Sequence, residues 1–134
     1  MLALALLVVS AAQPPPLLNA AGEGDLKAVR ELLLNPETDV NVRSESGETA
    51  LHVAGIKCAK GVARALLDAG ADVNAQTHEG TAMSMTPLHW YVNMNACSRE
   101  DIEELLDAGA DTSLKNSQGD TPLDMVAKVC RTTQ

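Results

Sequence analysis

The chain is built from apolar runs of helical length, separated by short polar stretches that carry Gly, Asn and Asp. One block occurs twice almost unchanged, as LLDAGADVN at 66–74 and as LLDAGADTS at 105–113. The Leu-Leu pair ends an apolar run in each copy, and Gly70 and Gly109 are free to adopt the left-handed backbone that closes a helix. We therefore predict a helix end at each of the two copies.

A second recurring phrase predicts where helices begin. It reads TALH at 49–52, TPLH at 86–89 and TPLD at 121–124. The Thr hydroxyl can accept from a free N–H of the first helical turn, and Pro fits that turn because it needs no N–H donor. The polar stretch between a helix end and the next helix start, such as DVNAQTHEG, suits a hairpin-like turn. The predicted unit is helix, short loop, helix and extended turn, and such units must stack to bury their apolar faces.

These phrases, taken in order, resemble the ankyrin-repeat family, and the stretch LLNAAGEGDLKAVRELLL at 17–34 resembles a first repeat. The resemblance implies an all-α solenoid of stacked helix-loop-helix units with β-hairpin-like turns. It also implies a concave surface, made by the turns and first helices, that grips other proteins. It covers 17–134, with units of about 17–43, 44–76 and 77–115 and a partial unit at 116–134.

The N-terminal segment differs from the rest of the chain. Residues 1–12 carry no charged side chain, and they are too few for the roughly 20 residues of a membrane-spanning helix. We predict a signal peptide cut before Gln13; the alternative is an apolar helix packed on the end of the domain. Residues 13–16, which include three consecutive prolines, are predicted to form a linker. The expected location is the secretory pathway or outside the cell if 1–12 is cleaved, and the cytoplasm otherwise.

Composition and charge restrict the partners. A length of 134 residues allows one domain. The net charge is -8 and no Lys/Arg cluster stands out, which argues against nucleic acid as a partner. With one Trp, one Tyr and no Phe, the core is predicted to consist of Leu, Val and Ala. Tyr91 takes the place that Ala54 has in the second unit, so we expect local repacking there.

Spacing shows two insertions in the third unit. Gly80 lies 6 positions before Thr86, whereas the corresponding intervals from Gly47 and from Gly119 are 2. We place the four extra residues in TAMSM at 81–85 and predict that this loop contacts a partner, because Met side chains adapt to varied surfaces. The alternative is a tolerated insertion with one Met folded onto a neighbouring turn. Two further residues are predicted between the helices, within 92–100, because the Thr-to-Gly interval is 23 instead of 21.

The partner surface that the resemblance implies lies on the turn tips, the first helices and the 81–85 loop. Its acidic members outnumber its one Lys, so we expect a basic partner; the alternative is an ordinary solvated acidic face. The candidate residues are Glu45, Ser46, Glu48, Thr77, His78, Glu79, Ser117, Gln118 and Asp120 on the tips, Ile56, Lys57, Asn93 and Met94 on the helices, and Ala82, Met83, Ser84 and Met85 in the loop.

The histidines and cysteines follow the repeat. His52 and His89 occupy equivalent positions, which in the resembled family hold neighbouring turns by hydrogen bonds. The three cysteines also recur at matching positions, so they are predicted to form a column: Cys58, Cys97 and Cys130. Stacked helices lie about 8 to 10 Å apart, whereas a disulfide needs Cα atoms within about 7 Å. We therefore expect neighbouring cysteines to be mostly free thiols, with Cys97 the one most loosened by the insertion.

The sequence predicts a non-catalytic protein–protein interaction module with no cofactor. It contains no GxSxG, no Gly-rich phosphate loop, no CxxC and no HExxH. The alternatives are a thiol-dependent redox or metal-handling protein that uses Cys58, Cys97 and Cys130, and a truncated fragment with no partner of its own. Self-association is also predicted, because the last unit lacks cover for its apolar side chains, which are Leu123, Met125, Val126 and Val129.

Overall fold

The computed structural model describes residues 14–93 and 97–132, except for the side chains of Thr81 and of 129–132. These residues form seven α-helices and one 3₁₀ turn, and no β-strand occurs among them. The predicted all-α class is confirmed. The helices are α1 (Pro16–Glu23), α2 (Leu26–Leu34), α3 (Ala50–Ala54), α4 (Val62–Asp68), α5 (Pro87–Asn93), α6 (Arg99–Asp107) and α7 (Pro122–Thr132), with the 3₁₀ turn at Gly80–Ala82.

The helices form two layers. The first helices of successive units, α1, α3, α5 and α7, pack side by side in one row, and the second helices α2, α4 and α6 pack in another. Within the first three units the first helix also contacts the second. Each unit therefore buries its apolar face against its neighbours, as stacked repeats require.

The core is made of small and branched aliphatic side chains. Ala21, Ala50 and Ala54 are buried between first helices, where a small side chain allows close approach. Leu, Val and Ala also supply the rest of the fully buried apolar set, except at one position. That exception is Tyr91, which is 1% exposed.

The helix boundaries follow the predicted signals. Thr49 caps α3 by accepting from the His52 N–H, and Ser98 caps α6 in the same way through Asp101. The two glycines of the repeated block close α4 and α6 with φ of 95° and 96°, a backbone region that other residues enter at a cost. The block LLDAGAD is therefore confirmed as a helix end.

The predicted linker needs a correction. Pro16 is the first residue of α1, and Pro15 stands immediately before the helix. A proline is favourable at that position because its fixed φ suits the helix and its missing N–H would have had no partner. The segment 1–12, with the predicted cleavage site before Gln13, lies outside the described residues, so the signal peptide stays a prediction.

The expectation of free thiols is wrong for two of the three cysteines. Cys58 and Cys97 are joined in a disulfide, with their Cα atoms 5.1 Å apart. The helix-spacing argument fails because neither residue is on a helix: Cys58 follows α3 and Cys97 precedes α6. Loops of adjacent units approach each other more closely than the helix axes do. The side chain of Cys130 is outside the described set.

Tyr91 is buried at the junction of α3 and α5; the local repacking expected from its size stays a prediction. Its ring lies against Gly55, where an added Cβ would stand 2.7 Å from the Cδ1 of Tyr91. The phenol oxygen is buried, and it has no hydrogen-bond partner among the described residues. A glycine is therefore required beside the ring for reasons of space, since its φ of -67° is open to any residue.

Two glycines, Gly55 at the end of α3 and Gly22 inside α1, should respond in opposite ways to replacement by alanine. Gly55→Ala should lower the free energy of unfolding by about 1 to 3 kcal/mol, because the buried ring of Tyr91 has little room to move. The matched change Gly22→Ala, inside α1 with its nearest neighbour at 3.7 Å, should raise stability by up to about 1 kcal/mol through helix propensity. Denaturant unfolding of both variants measures this. Equal effects would contradict the packing constraint at Gly55.

Candidate functional site

The candidate site begins with three stacked turns, here called turn 1 (44–48), turn 2 (77–85) and turn 3 (116–120). Each turn is closed by a backbone hydrogen bond of the same length, 2.9 Å, from its first residue to its last. Adjacent turns are also joined by backbone bonds, His78 N to Ser46 O at 2.9 Å and Ser117 N to Met83 O at 2.8 Å. The turns therefore form one continuous hydrogen-bonded edge without being β-strands.

This ladder shows that the insertion in turn 2 was assigned to the wrong residues. Ser84, with φ of 50°, stands two positions before Thr86, as Gly47 with φ of 82° stands two positions before Thr49. Gly80 is therefore not the counterpart of Gly47. The four extra residues are 79–82, and 83–85 occupy regular turn positions. The error arose because a serine here takes the left-handed conformation expected of glycine.

The inserted residues form an ordered turn. The Thr77 hydroxyl donates to Ala82 O at 2.7 Å and accepts from Met85 N at 2.8 Å, and Ser84 N donates to His78 O at 3.0 Å. Gly80–Ala82 is the 3₁₀ turn at its tip. Since Thr77 is only 3% exposed, its role is to hold the insertion, and it does not belong to the surface predicted to contact a partner.

Two buried histidines fasten the first helices to the following turns. The His52 Nε2–H donates to Met85 O at 2.8 Å, and its Nδ1 accepts from the Thr49 N–H at 3.1 Å. His89 repeats this arrangement, with Nε2 2.9 Å from Asp120 O. A carbonyl oxygen only accepts, which fixes the neutral Nε2–H tautomer. The structural role that the resemblance implied for both histidines is therefore what the geometry shows.

The environment of His52 holds it neutral. Burial lowers its pKa from 6.5 to about 4, although its hydrogen bond to the Met85 backbone acts in the opposite direction. A proton on Nδ1 would face the N–H of Thr49, so the charged form would also lose an acceptor interaction. In the last unit Asp124 stands in the histidine position and accepts from the Thr121 N–H at 3.0 Å.

Sequence reasoning missed a second set of links between units. Asn41 bridges to the next unit, its Oδ1 accepting from Asp72 N at 2.7 Å, and Asn74 does the same to Asp111 N at 2.7 Å. The two asparagines are 33 residues apart, one repeat period, and that spacing was the available signal. At the third position Ser113 instead donates to the Asp111 carboxylate at 2.6 Å.

A groove of about 300 Å³ lies between α1, α3 and turn 1. Leu18, Val53 and Ile56 supply apolar lining, and Glu23 and Glu48 supply carboxylates. Ile56 is 46% exposed, so an apolar side chain is available at the surface of this groove. The full lining is Pro14, Leu18, Asn19, Gly22, Glu23, Ser44, Glu48, Val53 and Ile56. We call this the acidic groove.

A second groove, of about 440 Å³, lies between turns 2 and 3 and is more polar. It combines the carboxylate of Glu79 with the amine of Lys115, and the amide of Gln76 is tied to Ser84 O at 3.0 Å and to Lys115 O at 3.1 Å. The insertion at 79–82 therefore adds one wall to a groove that the regular turns alone would not form.

The candidate partner-binding residues divide by exposure. Asp120, at 9% exposure, is buried and pairs with Lys128, so like Thr77 it is not a contact residue. Met94 lies outside the described residues. Glu48, Ala82, Met83, Ser84 and Met85 are half-buried, and the exposed set is Glu45, Ser46, Ile56, Lys57, His78, Glu79, Asn93, Ser117 and Gln118.

The described residues contain no candidate cluster for a metal site and no candidate membrane-spanning helix. Within 14–93 and 97–132, no group of three or more His, Cys, Asp or Glu side chains is placed to hold a metal ion. No helix in the described part of the chain is long and apolar enough to cross a membrane.

The last unit has an exposed apolar side chain, Leu123, which is 73% exposed, while Met125 and Val126 are half-buried. Self-association through this unit stays a prediction.

Comparison with known proteins gives two family matches. A model for ankyrin repeats in three copies matches residues 4–77, and a model for a single ankyrin repeat matches residues 84–117. The first match begins inside the apolar N-terminal segment. Together the two cover more than half of the chain, on the same helices and turns that form the stack.

Similar curated proteins are much longer than this chain. A palmitoyltransferase akr1 from Schizosaccharomyces pombe is 43% identical over 56 residues, which are 42% of this chain and 9% of that protein. The transient receptor potential cation channel subfamily V member 5 is 51% identical in its human form and 54% in its rabbit form, each over 41 residues, 31% of this chain and 6% of the channel. The chain thus spans less than a tenth of the relatives it matches.

Burial of His52 predicts a stability that falls in mild acid. Its pKa is lower when folded than when unfolded, so its contribution is complete above pH 6.5 and is lost as pH falls toward about 4. We expect the free energy of unfolding to decrease by about 2 kcal/mol between pH 7 and pH 5 from this residue. His52→Gln should flatten the slope. An unchanged slope in His52→Gln would assign the pH dependence to other groups.

Proposed function

Because the chain belongs to the ankyrin-repeat family, whose repeats are in general non-catalytic protein-interaction modules, we propose that it binds a basic protein segment in the acidic groove. Turn tips, first helices and the insertion contribute to the same surface. The observation that carries the proposal is the combination of an exposed apolar side chain, Ile56, with carboxylates from α1 and turn 1 in one concave site.

The chemistry of the groove favours a partner that is both apolar and positively charged. Ile56, at 46% exposure, gives an anchoring side chain an apolar surface that releases water on contact, while Leu18 and Val53 line the floor of the groove as buried residues. Glu23 and Glu48 line the same groove, and Glu45 is exposed on the adjacent turn tip. Carboxylates at the rim attract Lys and Arg and speed the encounter with a basic partner.

The rigid supports make this a preformed site. Turn 1 is joined to turn 2 by the backbone bond at His78, and α3 is fixed to turn 2 by the buried imidazole of His52. A groove held by such links loses little conformational freedom when a partner binds. The insertion at 79–82 extends the surface toward the polar groove between turns 2 and 3, where Glu79 adds a further exposed carboxylate.

The compartment is a proposal of its own. A cleaved segment 1–12 would send the chain into the secretory pathway, where disulfides persist, whereas the cytoplasm keeps most thiols reduced. The bond between Cys58 and Cys97 supports the secretory alternative.

The proposed site is tested with a display library of random peptides selected on the folded chain. Selected peptides should carry Lys or Arg together with apolar residues, and their affinity should fall as salt screens the carboxylates. The double change Glu23→Lys with Glu48→Lys, and separately Ile56→Asp, should each weaken binding by about tenfold or more, the loss expected at a central contact.

The matched control is Glu31→Lys with Asp68→Lys, which makes the same change of charge at exposed positions on the second helices α2 and α4. It should bind like the unchanged protein. The proposal fails if the selected peptides show no excess of basic residues, or if the control weakens binding as much as the groove variants do.

A further inference from the structure

We propose that the disulfide between Cys58 and Cys97 is a redox-sensitive latch that sets the shape of the binding surface by holding the loops of the second and third units together. Its effect on binding rests on the proposed function; its effect on the fold does not. The chain would then bind its partner well in an oxidising environment and poorly in a reducing one.

The position of the bond links it to the acidic groove. Cys58 comes two residues after Ile56, in the loop that leaves α3, and Cys97 directly precedes Ser98, the cap of α6. The two sulfurs lie 3.6 and 3.3 Å from the same carbonyl oxygen, that of Gly55. The latch therefore closes in the same loop that carries Ile56, the exposed apolar side chain of the groove.

The second and third units are joined by helix packing, α3 against α5 and α4 against α6, and by further links that differ between the two sides of the junction. On the turn side it has the backbone bond from His78 N to Ser46 O and the imidazole bond from His52 to Met85 O. Asn74 adds a link beyond the second helices. On the side of the loops between the helices, the described residues are joined by the disulfide of Cys58 and Cys97.

The packing next to the disulfide includes a buried tyrosine whose environment would change if α3 and α5 moved apart. Tyr91 fills a position that Ala54 fills in the unit before, and its buried phenol oxygen has no partner in the part of the chain that the structure describes. A small separation of α3 and α5 would let water reach this phenol oxygen, which has no partner among the described residues. With the turn side fixed and the loop side released, the units would open about the turns as a hinge.

The chemistry is thiol–disulfide exchange. A small thiolate attacks one sulfur of the Cys58–Cys97 bond and forms a mixed disulfide, with the other cysteine leaving as a thiolate. A second small thiol resolves the mixed disulfide, so that two thiols are oxidised to one disulfide and the protein gains two thiols. Closing is the reverse, with a small disulfide as oxidant. Both cysteines are half-buried, which leaves them partly accessible to such reagents.

The test equilibrates the full chain with glutathione and glutathione disulfide at a series of ratios. Peptide mapping by mass spectrometry measures the fraction with Cys58 linked to Cys97, and hydrogen exchange measures the amides of 55–61 and 97–101. Opening should speed exchange in both loops by about tenfold or more, with the turn ladder and the far-ultraviolet circular dichroism little changed. Cys58→Ser with Cys97→Ser should behave like the reduced chain, and Cys130→Ser should behave like the unchanged chain.

Three results would overturn the latch: no Cys58–Cys97 link in the oxidised chain, no change of loop exchange on reduction, or a loss of protection over the whole chain at once. Binding is then measured with a basic peptide selected on the oxidised chain. Reduction should weaken it by about tenfold or more, while Cys58→Ser with Cys97→Ser should bind weakly in either buffer. A peptide that binds the oxidised and reduced chains equally refutes the latch and leaves the proposed function standing. Failure to select any basic peptide refutes the proposed function. In that case the hydrogen exchange of the two loops still decides whether the latch exists.

Discussion

The stack depends on one interaction, the neutral imidazole buried between the start of a first helix and the next turn. At His52 a single side chain caps its own helix through Thr49 and reaches the backbone of the following unit through Met85. Both ring nitrogens are used, one as acceptor and one as donor, so the group is fully satisfied without charge. Because the ring is buried, loss of either hydrogen bond would leave an unsatisfied polar group, which costs free energy.

The same interaction explains why the insertion in turn 2 leaves the stack intact. The imidazole of His52 bonds to Met85 O, and the ladder bonds of turn 2 use His78 N and Met83 O. These residues keep their regular places on either side of the insertion. The extra residues at 79–82 bulge outward between those fixed points and are tied down by Thr77. A repeat can therefore change its surface without changing its register, and that freedom allows related chains to present different binding sites on one scaffold.

The other side of the second and third units is held in a different way. The bulky Tyr91 and the disulfide of Cys58 and Cys97 lie where regular units rely on small residues in close contact. Both helices of the third unit are longer than those of the second: α5 has seven residues against five in α3, and α6 has nine against seven in α4. The third unit thus departs from the repeat on its turn side and on its loop side, and the acidic groove lies between the first and second units.

The sequence alone determined the fold class, the order of helices and turns, and the roles of the recurring Thr and Gly residues, whereas the role of the two histidines was implied by the family resemblance. These follow from local rules, capping at Thr49 and left-handed closure at Gly70, that act within a few residues and recur at a fixed period. Only the tertiary structure decided which residues of turn 2 are inserted, because Ser84 takes a conformation that the sequence pattern assigned to glycine. Tertiary contacts also decided that Thr77 and Asp120 are buried and that two cysteines in separate loops meet, since distances between units depend on backbone paths that no local spacing encodes.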